Sequence, residues 1–405
     1  MVFVEHSSLS HRHIDTIQIS RITEKIMELD VLTIVASVLP LILVEEPIPQ
    51  HDSLLTGQRY YKEVMKSPSF NRFMNVARME KETVVKLKRM LKVNGNLRKS
   101  LSINVGQKVM MFIYVLIGHT NRQTAERWQH SGSTVSIIIY EVSEAFKMCS
   151  SLILVRPMEG DPIQWEIAIN PTMSPFFDNC IGAIDGVHIS AVVHASEHKV
   201  FRDRNKNLTQ NVLGAVNFDM TFSYVLTGWE GTAHDGRLYD DAKTKNFPRV
   251  PGKYFLGDAG FALSSECLTP YRATRYHLRE FQAGNAGGPA NAKELFDLKH
   301  SSLRNVIERC FGSLKKRFPI LVVMPSFAYP YQCELISCCF LIHNFIRRNQ
   351  LYLDEFDNDD GIVLDVNDHD PVEEEVGLAG NALKQWRDGI AESMWLAYQA
   401  YQAAH

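Results

Sequence analysis

Apolar residues change their spacing at Cys180. Upstream they recur at helical intervals; from Cys180 to Gly257 they fall into short runs bounded by turn residues, after which helical spacing returns. A chain written in that order has to build a sheet and cover it with helices that flank it on either side in sequence, an α/β layer architecture. Upstream, Phe70, Phe73, Met74, Val84, Val85, Leu87 and Leu91 predict helix between Tyr60 and Leu97, followed by an almost wholly apolar helix over Val105 to Gly118. A polar helix over Asn121 to His130 comes next. A third begins after Ser131-Gly132, capped by Ser133 or Thr134 and burying Val135, Ile138, Ile139, Val142 and Phe146. Three helices in this order suit either a helix-turn-helix or a plain bundle segment.

Past a Pro-bearing linker, Pro157 to Pro175, Cys180 to Ser190 reads as one strand. Asn211 to Phe218 and Thr221 to Gly228 read as a hairpin turning at Phe218-Asp219, Arg237 to Lys243 as a short helix and Tyr254 to Gly257 as a fourth strand. A Gly- and Asn-rich loop lies between Phe281 and Ala292. Ser301 to Arg317 is the clearest helix: Leu303, Val306, Ile307, Cys310, Phe311 and Leu314 make one face, while Arg304, Glu308 and Lys315 form a stripe at its border. Helices over Cys333 to Arg347 and Trp386 to Tyr398 follow. The predicted organisation is a leader over 1–55, a helical region over 56–150, a sheet domain over 176–350, an acidic linker over 351–380 and a terminal amphipathic helix over 381–405. A length of 405 residues agrees with two or three domains.

The net charge of −3 hides an uneven distribution, because Asp354 to Glu375 holds eleven carboxylates and no Lys or Arg, so the remaining body carries +8. A body of that sign attracts polyanions. The longest apolar run, Val31 to Val44, is fourteen residues interrupted by Pro40; a bilayer span needs roughly 20, and no membrane association is expected. Seven cysteines without a Cys-x-x-Cys pair argue against zinc knuckles and a disulfide framework and for a reducing compartment.

An aspartate inside an apolar strand is costly unless it is paired, protonated or bound to a cation. Asp185, in Ile181-Gly-Ala-Ile-Asp-Gly186, is such a residue, with a turn at Asp185-Gly186 as the alternative. Asp258 lies just past the fourth strand, where carboxylates of α/β sheets project into a crevice, although an Asp in a glycine-bounded turn would look the same. Glu308 stands between Arg304 and Lys315 and is by itself an ordinary helix salt-bridge residue. Asp235 is either a helix cap or a further acid of the set. Together these are hard, oxygen-only ligands suited to Mg²⁺ or Mn²⁺, and two such ions can activate a water or 3′-hydroxyl and stabilise the leaving oxygen of a phosphodiester. Two other readings fail: Ala183 stands where an Asp-x-Asp-Gly-Thr phosphatase needs its nucleophile, and His194-Ala-Ser-Glu-His198 leaves a strand instead of lying on the helix that an inverted zinc peptidase requires.

The segments CIGAIDGVHI, QNVLGAVNFDMTFSYVLTGWEGTAHDGRL, YFLGDAGF and RNVIERCFGSLKKRFPIL resemble the DDE nuclease domain of the Harbinger transposase superfamily, including its domesticated members. The resemblance is close from Cys180 to about Arg348; GHTNRQTAERWQHSGSTVS is similar to the family's helix-turn-helix region, and WRDGIAESMW to its last helix. It implies an RNase H-like fold, a divalent metal, and DNA strand cleavage and transfer. Asp185 matches the first acid, Asp258 the acid after the fourth strand and Glu308 the helix acid, while Asp235 matches a further acid sometimes counted among the metal ligands. Arg304 and Lys315 fit the Arg-Glu-Lys pattern of related transposases, with Ser301 in place of the expected Tyr.

The expectation is a nuclear, metal-dependent nuclease or transposase. Arg202, Arg204, Lys206, Arg304, Lys315, Lys316 and Arg317 are the candidates for holding DNA phosphates, against the alternative of an ordinary solvated basic surface. A competing expectation is a domesticated adaptor that binds DNA or chromatin and keeps the fold without cleaving. Resemblance to the family also implies a separate Myb-like protein partner for DNA recognition and nuclear entry, and leaves a homo-oligomer open.

Overall fold

The computed structural model describes residues 50–272, 288–350, 356 and 378–404. The leader before residue 50, with its apolar run, most of the Gly- and Asn-rich loop and nearly all of the acidic linker lie outside the described residues. The chain divides into two compact units, of which Met1–Asp52 is almost wholly outside the described residues; the second, from Ser53 onward, carries the structure below.

Six helices open this unit: α1 (Gly57–Lys66), α2 (Phe70–Ala77), α3 (Lys81–Val93), α4 (Val105–Leu116), α5 (Asn121–Trp128) and α6 (Gly132–Ile153). The starts of all but α3 are set by side chains that satisfy first-turn amides, and Thr120 with Gln123 forms a reciprocal capping box at α5. The cap of α6 is Ser131, whose hydroxyl accepts from the Thr134 amide, so the expected cap at Ser133 or Thr134 is corrected by two or three residues. α4 is buried almost all round and serves as the hub on which the other helices pack. The linker carries a single-turn helix, α7 (Trp165–Ala168).

The sheet follows: β1 (Cys180–Ser190), a single-turn α8 (His198–Phe201), β2 (Thr209–Val216), β3 (Phe222–Glu230), α9 (Asp235–Thr244), β4 (Tyr254–Leu256) and β5 (Cys267–Leu268). β1, β2 and β3 form an antiparallel meander whose hairpin turns at Asn217–Thr221, with Met220 at φ 64° and Asp219 accepting from the Thr221 amide. β4 then pairs with β1 in parallel and β5 with β4, giving the order β3-β2-β1-β4-β5. This five-stranded mixed sheet is RNase H-like. β5, two residues long, was not anticipated.

Three long helices complete the unit: α10 (Ala292–Arg317), α11 (Tyr329–Asn349) and α12 (Leu378–Ala404). One face of the sheet, with Ala183, Val187, Val212 and Val216, packs on Ile307, Phe311 and Phe340 in a core continuous with that of the opening helices. The other face, with Ile184, Leu213 and Phe255, packs on Leu238 and Tyr239 of α9. Asn344 fastens α11 to β3 by accepting from the Phe222 amide at 2.7 Å and donating to its carbonyl at 2.7 Å. α12 is held through Arg387, which donates to the Thr269 and Pro270 carbonyls, and through Asp388, which accepts from the Tyr271 hydroxyl at 2.6 Å. Among the described residues no helix is long and apolar enough to cross a membrane.

Candidate metal centre

Strand alternation turns Asp185 toward α10 and Gly186 toward α9, and this split organises the site. On the α10 side, Arg304 Nη1 donates to Asp185 Oδ2 at 2.6 Å and its Nη2 donates to Glu308 Oε1 one turn further along the helix. Asp185 lies within a continuous strand, opposite Gly214, which sets aside a turn at Asp185-Gly186. Ala183 pairs with Leu256 across the parallel β1–β4 ladder, so Asp185 and Asp258 each stand two residues beyond that pair on adjacent chains. Asp258 does sit in a glycine turn, accepting from the Gly260 amide at 2.9 Å, and the turn is what holds its carboxylate at the sheet end.

Asp235 arrives from the other side. His234 takes the cap position of α9, Asp235 is its first residue, and Asn211 of β2 donates to Asp235 Oδ1 at 2.7 Å and to the Ala233 carbonyl at 2.9 Å. Its path to the cluster exists because residue 186 has no side chain: a Cβ there would lie 2.1 Å from Asp235 Oδ1. One oxygen from each of Asp185, Asp235 and Asp258 consequently lies within 4.8 Å of the others. Of the two readings open for Asp235, a helix cap or a further acid of the set, the fold places it at the start of α9 and also brings it to the other two acids, fully buried. Glu308 lines the same cleft of about 540 Å³ as Asp185 and Asp258, but it is outside this three-acid group and is tied to Asp185 through Arg304.

Burial, opposed by Arg304 and reinforced by Asp258, Asp235 and Glu308, leaves the Asp185 carboxyl raised to about 8. Converging buried carboxylates of like charge, oxygen donors only, are the arrangement that a hard divalent cation relieves, so the donor set fits Mg²⁺ or Mn²⁺. The pH consequence follows from the sign of the shift. A folded-state pKa above the unfolded value means that the metal-free fold retains a proton that the unfolded chain releases, so this group's contribution to stability falls as pH rises from about 4 to about 8. A cation competes with that proton and binds better over the same window. The stabilisation of the protein by Mg²⁺ in thermal melts is expected to be larger at pH 8 than at pH 6, and Asp185→Asn to flatten the difference; an equal Mg²⁺ effect at both pH values would contradict it.

The basic candidates separate. Arg204 and Lys315 line the cleft; Arg202 and Lys206 are exposed on the segment beside it, and Lys316 is half-buried. Arg304 is buried within the acid cluster. Arg317 is corrected outright: it is 1% exposed and donates to the carbonyl of Arg78, the left-handed residue that ends α2, so it cannot reach a phosphate. His194 bonds Ser196 and caps a 3₁₀ turn, and neither His194 nor His198 belongs to a metal-ligand cluster among the described residues. Sequence reading passed over Asn211, which orients Asp235, and His188, whose Nδ1 meets Thr209 Oγ1 at 3.0 Å on the cleft wall. The available signal was a polar residue inside an apolar strand.

Residues 184–344 match the DDE superfamily endonuclease family. The chain carries a DDE superfamily endonuclease domain. Residues 52–148, ahead of that DDE domain, match a family described as a domain of unknown function, DUF8040. The chain is 28% identical over 251 residues to Protein ALP1-like of Arabidopsis thaliana, covering 53% of this chain and 57% of that protein. It is 25% identical over 198 residues to Protein Antagonist of Like Heterochromatin Protein 1 of the same plant, covering 44% and 46%. The chain thus spans about half the length of the curated relatives it matches. No solved structure matches it. These matches bear out the resemblance read from the segments around Asp185, Asp258 and Glu308.

Proposed function

We propose that the chain is a divalent-metal-dependent DNA endonuclease of transposase descent that works in the nucleus. The observation that carries this reading is the convergence of Asp185, Asp235 and Asp258, the first and last of which line an open cleft with Glu308 and Arg304 while Asp235 backs them from within. Mg²⁺ or Mn²⁺ bound by these acids would supply a polarised phosphoryl oxygen and an activated water or 3′-hydroxyl. The chain's own residues have separate tasks: Asn211 and the Gly260 amide orient two of the acids, Gly186 admits one of them, and His188 with Thr209 and Arg204 line the path of the backbone. The deciding test is cleavage of labelled duplex and single-stranded DNA in Mg²⁺, Mn²⁺ and EDTA; metal-dependent nicks supported by the native chain and absent from Asp258→Asn are expected.

A second reading, a chromatin-bound adaptor that no longer cleaves, draws support from the name of one relative as an antagonist of a heterochromatin protein. DNA retention without cleavage under every metal condition would select it. The exposed side of α6 carries Ile137, Tyr140, Met148 and Leu152, and Lys147 is the only basic residue of that helix. This supports a protein partner, of the Myb-like kind that supplies DNA recognition, over groove reading by α6 itself.

Phosphate binding at the cleft wall makes DNA affinity salt-dependent. Arg204→Ala with Lys315→Ala is expected to weaken binding and to flatten the plot of log affinity against log salt by roughly 0.7 to 0.9 for each phosphate left without its cation. Arg317→Met is expected to leave that slope alone and to lower stability by about 1 to 3 kcal/mol, because the part-buried Arg78 carbonyl is deprived of its donor. Anisotropy titrations across salt concentrations, paired with thermal melts, check both; a changed slope in Arg317→Met would reverse the assignment.

A further inference from the structure

Arg304 is a buried cation set inside a group of acids that otherwise needs a metal. Its side chain is 6% exposed, and its two terminal nitrogens are spread over two carboxylates, Asp185 and Glu308. Asp185 is the acid both arrangements require: an oxygen of its carboxylate lies within 4.8 Å of oxygens of Asp235 and Asp258, and its Oδ2 accepts from Arg304 at 2.6 Å. Glu308, the one of the four acids outside the tight group, has a side chain 33% exposed and accepts from the same guanidinium as Asp185. The cluster is divided into an edge with the spacing of a metal-ligand group, Asp185 with Asp235 and Asp258, and an edge bridged by the chain's own guanidinium, Asp185 with Glu308. Arg304 also lines the cleft, where an incoming phosphodiester would offer a planar pair of oxygens, a match for guanidinium at least as good as two separate carboxylates.

We propose that Arg304 is a resident counter-ion that competes with a second divalent cation for the Asp185–Glu308 edge, so that the chain without DNA holds one ion and takes up another only when a phosphodiester draws the guanidinium off Glu308. This rests on the metal-dependent reading above. Arg304 is then a positioning residue: it keeps Asp185 and Glu308 together without metal and sets the order in which ions and DNA arrive.

The test is Mn²⁺ titration calorimetry, with metal-induced thermal shift as a second readout, on the full chain. The native protein is expected to bind one Mn²⁺ alone and two with a saturating phosphorothioate oligonucleotide that resists cleavage. Arg304→Gln is expected to bind two without DNA, and Arg304→Gln with Glu308→Gln to return to one. Should Arg304→Gln fail to fold, Arg304→Lys, which keeps the charge but cannot span both acids, is expected to bind the second ion at least tenfold more tightly than the native chain does without DNA. Two ions on the DNA-free native chain overturn the proposal, as does a single ion, or a second-ion affinity equal to the native chain's, in the folded variant. If a single ion is bound by both native protein and Arg304→Gln and is lost in Asp258→Asn, the metal reading stands and the role of Arg304 falls; absence of Mn²⁺ binding throughout overturns both.

Discussion

Asp235→Asn is expected to cost as much divalent-cation affinity as Asp258→Asn. Both acids place an oxygen within 4.8 Å of the other and of Asp185, and both are held there by a neutral donor, Asn211 for one and the Gly260 amide for the other. Changing the partners of a metal ligand typically costs 10- to 100-fold in affinity, so removing a ligand's charge outright should cost more than roughly a hundredfold. Under the proposed function, cleavage should vanish with it. The amide keeps the shape of the side chain, so the thermal transition of the metal-free variant should remain cooperative. Native-like Mn²⁺ affinity in Asp235→Asn, beside a loss in Asp258→Asn, would return Asp235 to a purely structural place at the start of α9.

Gly186→Ala should remove metal binding without touching any acid. The added methyl would stand 2.1 Å from Asp235 Oδ1 and 2.5 Å from its Cγ, while the backbone at 186 is fixed in the β1–β2 ladder opposite Leu213. Asp235 has to leave the cluster, and overpacking of this kind typically costs about 1 to 3 kcal/mol. The double variant Gly186→Ala with Asp235→Ala should recover much of that stability and none of the metal binding, a coupling that only direct contact produces. Additive stability losses in the double variant would show that the methyl is accommodated some other way.

Much of the fold was legible from apolar spacing. β1 and the β2–β3 hairpin are long enough to print their pattern, and the buried stripe of α10 did the same; its start nine residues earlier was hidden because the first turns mix buried Leu295, Phe296, Asp297 and His300. β5 escaped because two residues carry no period. Asp185 and Asp258 could be picked out individually, since each sits at the middle or end of an apolar strand. Asp235 ranked below them, as a further acid, because its place depends on a gap at Gly186 seen only when β1 and α9 are packed. Arg317 misled for a general reason: an arginine in the last turn of a helix is ordinarily solvated, and nothing local announces that a left-handed carbonyl 239 residues earlier will fold over it.

The parallel pairing of β1 with β4 also has a consequence for how the molecule comes into being. Neighbouring parallel strands cannot close through a tight hairpin; here β2, β3 and α9 must be laid down between them, and the long sequence separation makes this pairing slow to form. Synthesis delivers Asp185 first, Asp235 and Asp258 later, and Arg304 with Glu308 last of the charges that meet there. Until α10 has left the ribosome, Asp185 lacks the guanidinium that bonds it in the finished fold. A nascent or half-folded copy therefore carries only part of this cluster of charges, and the whole of it comes into existence only together with the completed molecule.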